Sequence, residues 1–129
     1  MARRTPPTLD EVQAAVGPLG AWLDDETTTA PQRAELAGAV RVSARYLAGR
    51  HPGGAVELRV PPFVAVQCVE GLNHRRGTPP NVIELAPRTW LRLATGRLAW
   101  SIALADGSVV ASGSRADLAD LLPIDGLAG

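Results

Sequence analysis

Ala55-Val56-Glu57-Leu58-Arg59-Val60-Pro61-Pro62-Phe63-Val64-Ala65-Val66-Gln67-Cys68-Val69 is the stretch that decides the fold. Val56, Leu58 and Val60 alternate with Glu57 and Arg59, which is the period-2 signature of a strand with one face buried. Pro61-Pro62 offers no backbone donor to a ladder, so the pair marks a turn or a bulge. Phe63 to Val69 is almost entirely apolar and predicts a strand covered on both faces.

On the N-terminal side the period changes. Thr8 and Glu11 are spaced as a capping box, and Leu9, Val12, Val16, Leu19 and Leu23 follow at helical spacing. Gly17-Pro18 interrupts that stripe and predicts a kink or split near Val16. A second helix is expected from Thr29, with Pro31 in its first turn and Gln32 three residues on, to about Gly49. Leu36, Val40, Ala44 and Leu47 line its apolar face. His51-Pro52-Gly53-Gly54 ends the helical half.

On the C-terminal side a polar loop, Gly71 to Pro80, leads to a short strand at Asn81–Leu85. Pro87 and Gly96 bracket a helix bearing Trp90, Leu91, Leu93 and Ala94. A second short helix carries Leu98, Trp100, Ile102 and Leu104 and stops at Asp106-Gly107. Val109–Ser112 reads as a strand that Gly113 breaks. Ser114 and Asp117 predict a last capped helix with Leu118, Leu121 and Leu122, ending at Pro123. The layout is α+β, with helices on one face of a mostly antiparallel sheet. Residues 1–7 read as a flexible arm and 8–125 as one domain, with N-terminal helices over 8–49 and the sheet and later helices over 55–122.

Composition sets the outer limits. The chain has 129 residues, 46% apolar and 20% charged, enough for one core. Thirteen basic residues balance thirteen acidic ones. A net charge near zero argues against nucleic acid as a partner, because phosphate binding is driven by clustered cations. Every basic residue is Arg, as a GC-rich genome produces, and the absence of Lys excludes Schiff-base and P-loop lysine chemistry. Cys68 is the only cysteine, so no internal disulfide or multi-cysteine metal site can form. No apolar run approaches the ~18 residues of a membrane span, and no signal-peptide core follows Met1. A cytoplasmic protein without stable membrane insertion is expected.

Catalytic signals are missing. His51 and His74 have no second His or Cys nearby at metal-ligand spacing and read as surface or loop side chains. No nucleophile elbow, HExxH or Gly-rich phosphate loop is present, and no cofactor is implied. Cys68 sits in the most apolar strand, where a thiol is usually inert packing. Two polar and apolar groupings remain. His74, Arg75 and Arg76, stiffened by Pro79-Pro80, are candidates to cradle a phosphate or carboxylate, or form a solvated connection. The two short helices after Pro87 are apolar on more than one face, and periodicity does not separate a filled core from the lining of a cavity.

The run Glu84-Leu85-Ala86-Pro87-Arg88-Thr89-Trp90-Leu91-Arg92-Leu93-Ala94-Thr95-Gly96, followed by Trp100, Ala105-Asp106-Gly107, Ala111-Ser112-Gly113 and Arg115-Ala116-Asp117-Leu118, resembles the bacterial branch of the sterol carrier protein 2 family. Arg59-Val60-Pro61-Pro62-Phe63 and the His74–Pro80 loop resemble its actinobacterial subgroup. The resemblance covers roughly residues 30 to 125. It implies a sheet of about five strands backed by helices, enclosing an apolar tunnel for lipids, acyl-CoA or sterols that the C-terminal helix helps close. The tunnel-lining residues it implies are Phe63, Trp90, Leu93, Trp100, Ile102, Leu118 and Leu122. The added N-terminal helices and the Pro-Pro and His-Arg-Arg segments depart from the eukaryotic pattern. Similar domains also end thiol-dependent isomerases, whose metal-binding bundle has no counterpart here. The expected function is non-catalytic carriage of a lipid or other apolar small molecule, with His74, Arg75 or Arg76 anchoring an acidic head group. The alternative is a ligand-free module that binds another protein.

Overall fold

The computed structural model describes residues 5–71 and 81–127. Helix α1 (Leu9–Val16) opens on the expected box: the Glu11 N–H donates to Thr8 Oγ1 at 3.2 Å and the Thr8 N–H donates to Glu11 Oε1 at 3.1 Å. At Gly17-Pro18 the chain tightens into a 3₁₀ turn (Gly17–Leu19) and resumes as α2 (Gly20–Asp24). Val12, Val16, Leu19 and Leu23 stay buried throughout, so the split leaves the apolar stripe continuous.

Helix α3 (Arg33–Arg50) begins four residues later than Thr29. Proline disfavours the helical region for the residue before it, so Ala30 stays outside the helix, which starts only beyond Pro31. Gln32 then takes the N-cap position and makes no side-chain cap bond. The buried face of α3 is Ala37, Val40, Ser43, Ala44 and Leu47.

The sheet has four strands among the described residues, in the order β2-β1-β3-β4, where about five were expected. They are β1 (Val56–Val60), β2 (Val64–Cys68), β3 (Asn81–Leu85) and β4 (Val109–Ser112). It is also mixed. The β1–β2 hairpin and the β3–β4 pair are antiparallel, whereas the central pair β1–β3 is parallel. The hairpin uses up one side of β1, so the chain crosses over before β3 joins the other side, and a crossover delivers a parallel neighbour.

Strand β1 alternates as read, with Val56, Leu58 and Val60 buried. Strand β2 is not covered on both faces: it is a sheet edge, and Ala65 and Gln67 are exposed. The apolar run misled because Ala is as much at home on a surface as in a core.

Helix α4 (Pro87–Ala94) starts at Pro87, and Gly96 follows in a left-handed conformation. Helix α5 (Trp100–Ala105) is a short connection back to β4. The last capped helix does not form. Asp117 Oδ1 accepts from the Ala119 N–H at 2.8 Å, producing a single 3₁₀ turn at Ala119–Leu121. Leu122, just before Pro123, is forced extended. The C-terminal segment is therefore a strap across the core, with Ala116, Leu118 and Ile124 buried.

Candidate functional site

The side chains expected to line a tunnel do not share one environment. Trp90 is 0% exposed, and its indole N–H donates to Ser43 Oγ at 2.8 Å. The Ser43 hydroxyl in turn donates to the Ala39 carbonyl at 2.7 Å, so the one polar atom of the ring is satisfied inside the core. Leu93 and Leu118 are buried in the same cluster as Trp90. Residues with no accessible surface have no water-sized void against them, so the packing at these three is closed. Phe63, Trp100 and Leu122 are half-buried at the margin of the cluster. Ile102 stands apart on α5, 57% exposed. His74, Arg75 and Arg76 lie outside the described residues.

A concavity does open at the edge of this core, between the C-terminal end of α3 and the strap. It has a volume of about 380 Å³, with Arg50, His51, Pro52, Val69, Asp120 and Leu121 among its walls. A second hollow of about 140 Å³ adjoins it, shares Arg50, His51, Asp120 and Leu121, and continues along the strap to Ile124. Together they form one furrow; in its larger part Pro52, Val69 and Leu121 are the apolar lining and Arg50, His51, Glu70, Asp117 and Asp120 the polar one. The larger part alone falls within the roughly 300–1,000 Å³ of small-molecule sites.

Backbone geometry shapes the furrow. Val69 leaves β2 with φ +69°, an unusual state for a β-branched residue. Its N–H donates to the His51 carbonyl at 2.7 Å and its carbonyl accepts from the Ala55 N–H at 3.0 Å. These bonds clamp the end of β2 against the turn that follows α3. Gly53, at φ +147°, is required there, since a Cβ would lie 2.2 Å from the Val69 carbonyl oxygen. The strap is held by the Ile124 N–H, which donates to the Ala94 carbonyl at 2.9 Å, and by Gln13 Nε2, which donates to the Gly126 carbonyl at 2.8 Å.

Sequence reading treated His51 as an isolated loop histidine and missed the furrow. Its walls come from segments nearly seventy residues apart, and only the Gly53-Gly54 pair hinted at a special backbone. Among the described residues, no three His, Cys, Asp or Glu side chains come together to hold a metal ion. Burial raises the Cys68 thiol to about 11, so it remains protonated at neutral pH and packs as an apolar group. No helix among the described residues is long and apolar enough to cross a membrane.

The model of the family described as "Bacterial SCP ortholog" matches residues 32–124. No curated protein matches the chain. The matched span runs from the N-cap of α3 to the strap residue Ile124, so it holds the whole sheet, α4, α5 and both walls of the furrow, and leaves α1 and α2 outside. With well over half its length inside that family, the chain belongs to the bacterial sterol carrier protein-like family.

Proposed function

We infer that this protein holds a lipid, fatty acyl chain or similar apolar molecule and passes it on without reacting with it. Family membership carries the reading. The furrow supports it: a hollow of useful size, with Val69 and Leu121 in its lining, lies beside a strap secured by few backbone bonds. In the closed state Trp90, Leu93 and Leu118 fill the interior. Cargo therefore enters by displacing the strap, with Leu118 and Leu122 moving off Trp90 and Leu93 and the chain taking their place. Phe63, Trp100 and Ile102 belong to the margin of this proposed site. His74, Arg75 and Arg76 are its anchor for an acidic head group.

Native mass spectrometry of the freshly purified protein, then of protein offered fatty alcohols and fatty acids of six to eighteen carbons, tests the reading. A co-purifying lipid or stoichiometric uptake of long chains supports it, and a clean apo mass after the full panel refutes it. Replacing Arg75 and Arg76 with Ala is expected to weaken the acids more than the alcohols; equal losses remove the anchor.

One observation favours a protein-binding module instead. Ile102, Leu104 and Val110 are 57%, 45% and 64% exposed, on α5 and the adjacent edge strand β4. A closed core with an apolar patch outside is what such a module presents. A clean apo mass together with self-association or partner capture that Ile102→Ser abolishes would establish it.

A further inference from the structure

The opposite corner of the molecule, where the β1–β2 turn meets the start of α3, has a composition unlike the rest of the surface. Pro61 and Pro62 are exposed at the turn, and Phe63 follows, half-buried. Two guanidinium groups from α3 lie over the Phe63 ring, with Arg33 Cζ at 5.2 Å and Arg41 Cζ at 5.9 Å from its centroid. Arg41 Nε also donates to the Phe63 carbonyl at 3.1 Å, tying the turn to the helix. Among the described residues neither arginine has a carboxylate within 4.0 Å. A shallow, open concavity of about 400 Å³ adjoins them, walled by Pro61, Pro62, Phe63 and Val64 with Arg59 and Glu84 at its edge.

Four arginines (Arg33, Arg41, Arg45 and Arg59) meet three carboxylates here (Glu35 in the first turn of α3, Glu57 and Glu84), so the local balance is positive by one although the chain as a whole is neutral. Arg59 is engaged by Glu57, which leaves Glu84 as the opposing carboxylate at the concavity. Arg45 adds a further cation one turn beyond Arg41 on α3. Arg33 also occupies the first position of an 18-residue helix, where the dipole favours an anion over a cation. Cations kept in such a place without a carboxylate partner among the described residues, beside exposed prolines and an aromatic ring, are complementary to a surface that is anionic outside and apolar just beneath. A lipid bilayer with acidic head groups has that profile: arginines meet the phosphates while the proline turn settles among the upper acyl chains.

We propose that the Arg33–Arg41–Phe63 corner, with the Pro61-Pro62 turn, docks this protein onto anionic bilayers. The inference rests on the carrier reading only for its purpose, since a carrier must meet a membrane to load and unload. Its physical basis is the charge and shape of this corner, away from the furrow.

The test is partitioning of the full chain onto extruded vesicles, comparing pure phosphatidylcholine with vesicles carrying 30% phosphatidylglycerol. Binding is expected only with the acidic lipid, and is expected to fall as salt rises from 0.1 to 1 M and the screening length drops from about 10 to about 3 Å. Each basic residue at an acidic surface contributes about five-fold, so Arg33→Gln with Arg41→Gln should lower partitioning about 30-fold. Arg33→Gln alone makes the same test without touching the bond from Arg41 to the turn, and should lower it about five-fold. Equal partitioning of parent and variants, or indifference to lipid charge, overturns the proposal. Retention on polyglutamate without vesicle binding also overturns it, in favour of an acidic protein partner. If the parent holds no cargo in native mass spectra yet still partitions through these arginines, the docking surface stands and the carrier reading alone falls.

Discussion

Replacing Ser43 with Ala probes a polar link inside the core. In the parent, the Trp90 indole N–H donates to Ser43 Oγ at 2.8 Å with both groups buried. Ala removes the acceptor and leaves a buried donor unpaired, at a cost of about 1–3 kcal/mol. Better helix propensity returns about 0.5 kcal/mol. The vacated oxygen leaves less space than the roughly 30 Å³ a water molecule occupies, so no solvent replaces it. The expected net loss is about 0.5–2.5 kcal/mol, read as a lower urea midpoint at unchanged slope and a Tm lower by roughly 4 °C for each kcal/mol. Trp90→Phe has no N–H to leave unpaired. In that background only the propensity gain remains, so Ser43→Ala should stabilise by about 0.5 kcal/mol, giving a coupling of about 1–3 kcal/mol in the double-mutant cycle. A neutral Ser43→Ala, or an equal cost in both backgrounds, would refute the claim that Ser43 is there to satisfy Trp90.

Three further outcomes follow from other contacts. Gly53→Ala should destabilise by about 3 kcal/mol or prevent folding, because its Cβ meets the Val69 carbonyl in a conformation L-residues avoid; a thermal melt within 2 °C of the parent would contradict this. Asn81 donates to the Ala55 carbonyl at 2.8 Å and accepts from the Arg115 N–H at 2.9 Å, so Asn81→Ala should cost about 2–3 kcal/mol in urea unfolding, and Asn81→Asp should not rescue the lost donor. The hydrogen bond from Arg97 holds the Asp24 carboxyl below its ordinary 3.8, so its contribution is present above pH 4 and is lost as pH falls through the lower folded value. Arg97→Gln should return the Asp24 titration, followed by carboxyl NMR, toward 3.8.

Much of the fold was legible because local chemistry and final environment agree. Thr8 with Glu11, Gly17-Pro18, Val56 to Val60, Pro87 and Gly96 each act through their own backbone, and each stands where its residue type requires. The misses occur where distant neighbours decide. Ser114 and Asp117 have capping spacing, but Pro123 lies too close downstream, and Asp117 instead accepts from the Ala119 N–H where a 3₁₀ turn begins. Ala65 cannot announce which face it occupies, so the edge character of β2 was invisible. The expected number of strands came from resemblance, not from residues, and the described residues hold four. Within the candidate site, Trp90, Leu93 and Leu118 were legible as apolar but not as closed. The furrow depends on Val69 at positive φ, which a β-branched side chain gives no reason to expect.

A closed core is compatible with carriage only if cargo outweighs what it displaces, and that condition sets the cargo's length. Lifting the strap exposes Leu118 and Ile124, at about 1.5–3 kcal/mol each. Losing the bond from Ile124 to Ala94 adds about 1 kcal/mol. Association itself costs at least about 4 kcal/mol. The opposing gain is about 0.8 kcal/mol for each methylene buried, so roughly ten to fourteen methylenes are needed before binding becomes favourable. Within the panel of fatty alcohols, six- and eight-carbon chains should therefore leave an apo mass while chains of fourteen or more bind. A graded response beginning at six carbons would mean the molecule rests in the furrow without opening the core. The site would then be the surface hollow beside His51 and Leu121, not the interior around Trp90.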